Sequence, residues 1–403
     1  MSSPRIRLFL RELLPAPLRE SYHRYALRRD FGISARTGKR LPRPIDRTLL
    51  RGANVVGYFD SPSGIGQSAR GLARAAQAVG IPVARIEASS LEKSPAPAAP
   101  YGLNLFHVNA DGASSVVEMC GPKVHRGRAN VGYWYWETES FPERWRDRFS
   151  YFDEIWVASE FCRDSIEKRS PIPVAVVPPP VVIDDRAGPR PSTGFRFLTV
   201  ADAQSVAERK NPLGAVRAFA RAFPRDAGVS LTVKIANPES SPGLVGTLES
   251  AAGTTRLDID TEPATRSDME RLLAGCDAYL SLHRAEGFGL PIAEAMALGK
   301  PVVVTDYSGS RDFVDETTGF PVRWRPSTLD RTLGPYEEGT RWAEPDEEHA
   351  VEILRAIVED PAEAARRARA GQRRICERYG LGATGGRLAE RLDRLVARLS
   401  ARP

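Results

Sequence analysis

One alternation constrains this chain more than any other feature. Short runs of β-branched and aromatic residues are each followed by a polar or glycine-bearing turn and then by a helical pattern. The series opens with Val55-Val56-Gly57-Tyr58-Phe59 as a buried strand, residues 68–79 as a helix with Ala and Leu at helical spacing, and residues 81–86 as the next strand. After the Pro- and Ala-rich connector 94–100, further strands are expected at 103–108, 130–135, 155–158 and 174–177. Pro178-Pro179-Pro180 and the Pro-, Asp- and Arg-rich stretch 184–193 read as a linker. The alternation then restarts, with strands at 195–200, 229–235, 278–282 and 301–304 and helices at 212–223, 267–274 and 290–298. Strands alternating with helices pair in parallel and are covered on both faces. The chain therefore divides into an extension, 1–50, two α/β halves, 51–190 and 191–360, and C-terminal helices, 361–403, broken near Gly380 to Gly386.

Composition excludes several classes. A 403-residue chain that is 42% hydrophobic and 27% charged, with net charge +6, is not disordered as a whole. It holds no apolar run of about 18 residues, the length a spanning helix needs. Cys120, Cys162, Cys276 and Cys376 form no C-x-x-C pair, which points to reduced thiols in a cytoplasmic chain rather than a disulfide framework or a zinc site. The excess of Arg over Lys reads as base composition, and no nucleic-acid partner is expected.

The positive charge is concentrated at the start, where residues 1–50 carry twelve Arg and Lys against four Asp and Glu. Within Arg5-Ile6-Arg7-Leu8-Phe9-Leu10-Arg11-Glu12-Leu13-Leu14, the residues Ile6, Phe9, Leu10, Leu13 and Leu14 share one helical face, with Arg7, Arg11 and Glu12 opposite. Arg7 and Arg11 interrupt any secretory signal core. The segment reads either as a helix docked on the body or as a basic helix on an anionic membrane surface, with residues 1–30 making the peripheral contact.

The most informative segment is His283-Arg284-Ala285-Glu286-Gly287-Phe288-Gly289-Leu290-Pro291-Ile292-Ala293-Glu294-Ala295-Met296. A strand ends near Leu282, a glycine loop follows, and Pro291 sits in the first turn of a helix. Free backbone N–H groups and the positive helix end form an anion site there. Glu286 lies on the loop and Glu294 about one turn into the helix, a pairing that suits a ligand with phosphates at one end and hydroxyls at the other.

This run resembles glycosyltransferase family 4, the retaining nucleotide-sugar transferases of GT-B fold. Glu286 and Glu294 match that family's E-x7-E motif, and the resemblance continues through Gly299-Lys300-Pro301-Val302-Val303 and Tyr307-Ser308-Gly309, with Arg209-Lys210-Asn211-Pro212 upstream. It covers roughly residues 52–325. The chain departs from the family at Ser310, where Asn often follows Tyr-Ser-Gly. The resemblance implies an α/β fold with two Rossmann-like parallel-sheet lobes facing a central cleft. It implies that Arg209 and Lys210 hold the donor diphosphate and stabilise the leaving nucleotide, that Glu294 takes the ribose hydroxyls, and that Glu286 binds the donor sugar. Backbone N–H groups of Phe288, Gly289 and Leu290 would lie near the sugar and phosphates. The donor would be a nucleoside diphosphate sugar, with no cofactor and no metal; Asp258-Ile259-Asp260 spells a D-x-D but falls away from the phosphate loop.

The first half contributes Ser63-Gly64-Ile65-Gly66-Gln67-Ser68-Ala69, which satisfies G-x-G-x-x-A, with Glu87 near the end of the next strand. A nicotinamide-dependent oxidoreductase would use it for a dinucleotide, but Asp60-Ser61-Pro62-Ser63 separate the glycines from their strand, and that reading leaves the second half unexplained. In the family resemblance Gly64 and Gly66 approach the donor phosphates instead. His107, in Phe106-His107-Val108-Asn109, reads either as a structural strand-end histidine or as a catalytic group reaching the donor sugar, which the resemblance implies. Gly132-Tyr133-Trp134-Tyr135-Trp136-Glu137 reads either as a core strand or as an acceptor platform with Trp136, Glu137 and Asn109 meeting acceptor hydroxyls.

The sequence as a whole is expected to encode a retaining, metal-independent hexosyltransferase acting on a hydroxyl acceptor. A glycan or lipid-linked glycan of bacterial surface or exopolysaccharide synthesis is the expected acceptor class. A non-catalytic scaffold of the same fold is the other class to separate. Residues 326–345 offer no usable motif.

Overall fold

The computed structural model describes residues 31–33, 45–46, 48–184, 194–225 and 228–400. The amphipathic segment expected near the N-terminus and most of the 184–193 linker lie outside them. Among the described residues no helix is long and apolar enough to cross a membrane.

The two α/β halves form as the alternation requires. The first sheet comprises β1 (Leu50–Gly57), β2 (Val83–Glu87), β3 (Tyr101–His107), β4 (Ala129–Trp134), β5 (Glu154–Val157) and β6 (Val174–Val176), in the order β2-β1-β3-β4-β5-β6. The second comprises β7 (Phe195–Asp202), β8 (Val229–Ala236), β9 (Leu257–Asp260), β10 (Ala278–Ser281), β11 (Val302–Thr305) and β12 (Phe320–Val322), in the order β12-β11-β10-β7-β8-β9. Every pairing in both sheets is parallel. The expected strands are all present, their ends displaced by a residue or two, except that β1 starts five residues earlier than Val55.

All residues of β4, β5, β10 and β11 are buried, which is why these strands lack the apolar–polar alternation of a sheet with one wet face. Helix caps are local and visible in the residues. Ser63 accepts from the Gly66 N–H at the start of helix Gly64–Ala78, and Thr265 with Asp268 makes a capping box on helix Arg266–Gly275. Asn211, at φ 52°, caps helix Pro212–Ala222 through the Gly214 N–H.

Strand order reverses between β1 and β3 and again between β7 and β10. Such switch points open a crevice beyond the carboxyl ends of the two strands, because their outgoing connections run to opposite faces. The loops after β7 and β10 carry Arg209-Lys210 and Glu286; those after β1 and β3 carry Gly64-Gly66 and the His107–Asn109 turn. Topology alone therefore directs the candidate residues to two crevices.

Two features were not legible. The C-terminal helices Pro361–Tyr379 and Leu381–Ser400 part at Gly380, and the second returns to the first lobe. There Leu388, Leu392 and Leu395 share a core with Ala69, Leu72 and Ala76, while Arg391 and Arg398 pair with the buried Glu154. The motif-free stretch 326–345 lies largely within an antiparallel hairpin of β13 (Trp324–Thr328) and β14 (Arg341–Pro345). Leu329, Tyr336, Trp342 and Ala343 from this hairpin join the hydrophobic core of the first lobe with Trp134, Trp136 and Phe141.

Candidate active site

The loop after β10 is built around close backbone approaches. Gly289, at φ 91°, caps helix Leu290–Ala297, and Pro291 occupies its first turn without losing a needed N–H. The Glu286 N–H donates to Ser308 Oγ at 2.8 Å, and the Gly309 N–H donates to the Glu286 carbonyl at 2.9 Å. A Cβ on Gly309 would stand 2.3 Å from the Gly287 carbonyl oxygen, so only glycine lets the two loops meet. The first lobe also closes on this loop: Ser159 Oγ donates to the Gly287 carbonyl at 2.6 Å.

The loop after β7 is tied to the loop after β10. Asn211 Nδ2 donates to the Leu282 carbonyl at 2.9 Å, and the Arg284 N–H donates to the Arg209 carbonyl at 2.7 Å. This brings two bases onto one acid. Arg209, 5% exposed, places Nη1 3.3 Å from Glu286 Oε2, and Lys210 Nζ donates to Glu286 Oε1. Glu286 is 6% exposed. Burial by itself would raise its pKa, but Lys210 and Arg209 outweigh that and hold the carboxyl down at about 2. Arg209 is likewise opposed by burial yet held more basic than usual, with Tyr336, Glu286 and Glu137 as the neighbours that favour its charge.

Glu294 is 3% exposed on the first turns of its helix. Burial raises its pKa, opposed by Arg266 and Gln67. Arg266 Nη1 lies 2.7 Å from Glu294 Oε1, and Gln67 Nε2 donates to the same oxygen from the other lobe. Arg266 Nη1 also donates to Gln67 Oε1 at 3.0 Å. Neither Gln67 nor Arg266 was singled out by sequence. Gln67 follows the glycine pair directly, and this adjacency was the available signal.

In the first lobe, Gly66 is sterically required, because a Cβ there would stand 2.3 Å from the Ser61 carbonyl oxygen. At Gly64 a Cβ would meet nothing within 4 Å, which leaves that backbone open on its outer side. Six residues separate β1 from the helix, a longer path than a dinucleotide-binding turn takes. His107 pairs in register with Gly57 at the strand ends. It is 0% exposed and stacked on Tyr133 at 4.6 Å, with Nε2 2.9 Å from Ser68 Oγ. The structure thus places His107 behind the glycine loop rather than on its surface, and Nδ1 has no protein partner.

The aromatic run divides between the two roles weighed for it. Trp136 is 4% exposed, donates its Nε1–H to the Ser140 carbonyl at 2.8 Å, and is enclosed by Phe141, Trp145 and Tyr336. It packs the junction of the lobes and presents no open face, which corrects the expectation of a platform. Asn109 Oδ1 accepts the Tyr135 N–H at 2.9 Å and so shapes that turn. Glu137 accepts from the Tyr336 hydroxyl at 2.8 Å. Tyr336 is thereby joined to one of the sequence-marked residues and is an electrostatic neighbour of Arg209, yet nothing in its surrounding sequence marked it. Phe288 is buried against Phe313 and Tyr379, so only its backbone serves the loop. Asp260 of the D-x-D is held by the buried Lys234 at 2.8 Å.

Burial also pushes His107 and His283 down to about 4. Both are neutral when folded, whereas an unfolded imidazole takes a proton near pH 6.5. Stability is therefore expected to fall between about pH 6.5 and 4 as the unfolded chain binds protons that the folded one refuses. Each histidine contributes about 3 kcal/mol to that loss, and Glu294 and Asp312, both raised by burial, work in the opposite sense and reduce the net fall. Urea unfolding at pH 7 and pH 4.5 of the unaltered chain and of His107→Gln measures it; a difference between the two pH values that is the same in both proteins would contradict a neutral buried imidazole at His107.

Comparison with known proteins bears on this arrangement. HepE of Anabaena, crystallised with UDP and glucose, is 14% identical with a TM-score of 0.61, the match covering 86% of this chain and 100% of that one. Sucrose-phosphate synthase of Thermosynechococcus elongatus is 14% identical with a TM-score of 0.61, over 87% of this chain and 100% of its own. A mutant of S. aureus TarM, in a complex that includes UDP, is 13% identical with a TM-score of 0.52, over 74% of this chain and 55% of its own. At these identities the likeness concerns the fold, which is GT-B. No curated protein sequence matches the chain. A family model described as family 4 glycosyltransferase in conflict systems matches residues 157–385, a span that takes in Arg209, Lys210, Glu286 and Glu294. The chain belongs to that family of glycosyltransferases.

Proposed function

We propose that the chain transfers a sugar from a nucleoside diphosphate sugar to a hydroxyl acceptor, with retention of anomeric configuration and without a metal. The convergence of Arg209, Lys210 and Glu286 at the β7/β10 switch point, beside the start of helix Leu290–Ala297, carries this reading. Breaking a glycosyl phosphate puts negative charge on the departing diphosphate. Two fixed cations and a helix N-terminus stabilise that charge more in the transition state than in the ground state. Lys210 exchanges its partner, from Glu286 to phosphate, and Glu286 is then released toward the sugar hydroxyls. Glu294, held on Oε1 by Arg266 and Gln67, offers Oε2 to the ribose. A front-face reaction, in which the leaving phosphate oxygen takes the acceptor proton, needs no protein nucleophile, and Glu286 is engaged as an ion-pair partner rather than poised as one.

Uridine is the favoured base, supported by the UDP and glucose named for the HepE complex. A glycan or lipid-linked glycan of surface synthesis is the acceptor we favour on chemical grounds. The family's description, in conflict systems, favours a second setting for the same chemistry, so the acceptor screen includes protein hydroxyls. A scaffold would have no reason to keep the buried Glu286 between two bases, or the buried Glu294 on Arg266 and Gln67.

Thermal-shift measurements against UDP-, GDP- and ADP-glucose, followed by assay of sugar released to water, test the proposal. The matching donor is expected to raise the unfolding midpoint, since saturation at about 100 Kd is worth about 2.7 kcal/mol, and to be hydrolysed slowly. No shift and no hydrolysis with any donor would leave the scaffold reading in its place.

A further inference from the structure

The hairpin between the second sheet and the following helix reaches across to the first lobe, and its tip is rigid. Leu333 and Tyr336 exchange two backbone hydrogen bonds of 2.8 and 3.0 Å around that tip. Arg144 of the first lobe donates to the Pro335 carbonyl at 2.6 Å and pairs with Glu337, so the residues on either side of Tyr336 are pinned. Tyr336 itself is 3% exposed, set against Trp136 at 5.3 Å, with its hydroxyl on Glu137 Oε2.

Arg209 lies beside this arrangement: its Nη1 donates to the carbonyl of Ala285, which shares a hydrophobic core with Trp136 and Tyr336. Within its own lobe Arg209 is held by this 2.9 Å bond to Ala285 and by Glu286 Oε2 at 3.3 Å; the bonds to Ser205 are 3.4 and 3.5 Å, at the outer limit for a hydrogen bond. Glu137 and Tyr336 both lie within electrostatic reach of the guanidinium. A second carboxylate beside this guanidinium competes with phosphate for the donors that Ala285 and Glu286 leave open, because both present oxygens to its fork. We propose that Tyr336 is a positioning residue: by donating its hydroxyl to Glu137 it holds that carboxylate off Arg209, so that the guanidinium donors not engaged by Glu286 and Ala285 stay available to the donor diphosphate. This rests on the proposed transferase reading and adds a contribution from the hairpin to it.

Donor hydrolysis by the full chain tests it, using whichever of UDP-, GDP- and ADP-glucose the unaltered chain turns over fastest. Water is the acceptor in that assay, so any contact of Glu137 with a natural acceptor is not read. Tyr336→Phe is expected to lower kcat about tenfold with donor KM within about twofold, the signature of an interaction that matters in the transition state. Adding Glu137→Gln to Tyr336→Phe is expected to recover most of the loss, because no charge remains to collapse onto Arg209; a purely structural role predicts a further loss instead. Arg144→Ala frees the tip without touching the ring, and is expected to show the same loss and the same relief even if Tyr336→Phe unfolds. Unchanged kcat in both single variants, or no relief by Glu137→Gln, would overturn the proposal while leaving the transferase reading intact. Full activity in Lys210→Ala, or no hydrolysis by the unaltered chain, would remove that reading and this inference with it.

Discussion

Lys210→Ala is expected to lower transfer and donor hydrolysis by about 10²- to 10³-fold, the usual cost of removing one preorganised charge-stabilising group. The fold should survive, because Lys210 ends a short helix and its stem is not part of either core. Its partner Glu286 keeps Arg209 at 3.3 Å, so no carboxylate is left without a cation. The effect should fall on kcat with little change in donor KM, since the ground-state diphosphate is also held by the helix end and Arg209. Rates within about threefold of the unaltered chain would remove Lys210, and with it the proposed site, from the chemistry.

Glu286→Ala should act on stability as well as on rate. It leaves Arg209, 5% exposed, without the carboxylate at 3.3 Å, and strands Lys210 beside it. Breaking a buried ion pair from one side costs about 3–5 kcal/mol, because the remaining charge stays desolvated. The urea midpoint should fall accordingly, and turnover should be lost. Glu286→Gln keeps the shape and the acceptor oxygen for Arg209, and is expected to recover part of the stability but not the activity. If Glu286→Ala proved as stable as the parent, the triad would be a solvated surface cluster, contrary to its burial.

These two residues were marked by sequence, and the reason is local. Strand, glycine loop and Pro-initiated helix follow one another within the Leu282–Met296 stretch, so the spacing of Glu286 and Glu294 already sets one on the loop and the other about one turn into the helix. Arg209-Lys210 required only the rule that strand ends beside a switch point share a crevice. His107 and Trp136 show the opposite situation. Each sits at a strand end and suits either a core or a site, and it is the packing of Tyr133 on His107, and of Phe141, Trp145 and Tyr336 around Trp136, that decided for burial.

What the chain's order of residues determined, then, is its elements, the parallel pairing of its strands, and the loops that bear its acids and bases. Periodicity and turn chemistry act over a few residues, and parallel sheets leave little choice about which strand ends face the cleft. Only the tertiary structure decided that Gln67 would meet Glu294 across 227 residues of chain, and that Tyr336 would meet Glu137 across 199. Those meetings depend on how two separately legible lobes seat against one another. That seating arises from apolar surface pooled between distant segments, the hairpin's Tyr336 and Trp342 against Trp136 in one place and Leu388 and Leu392 against Leu72 in another. Such burial is non-directional and leaves no periodic trace in either segment alone.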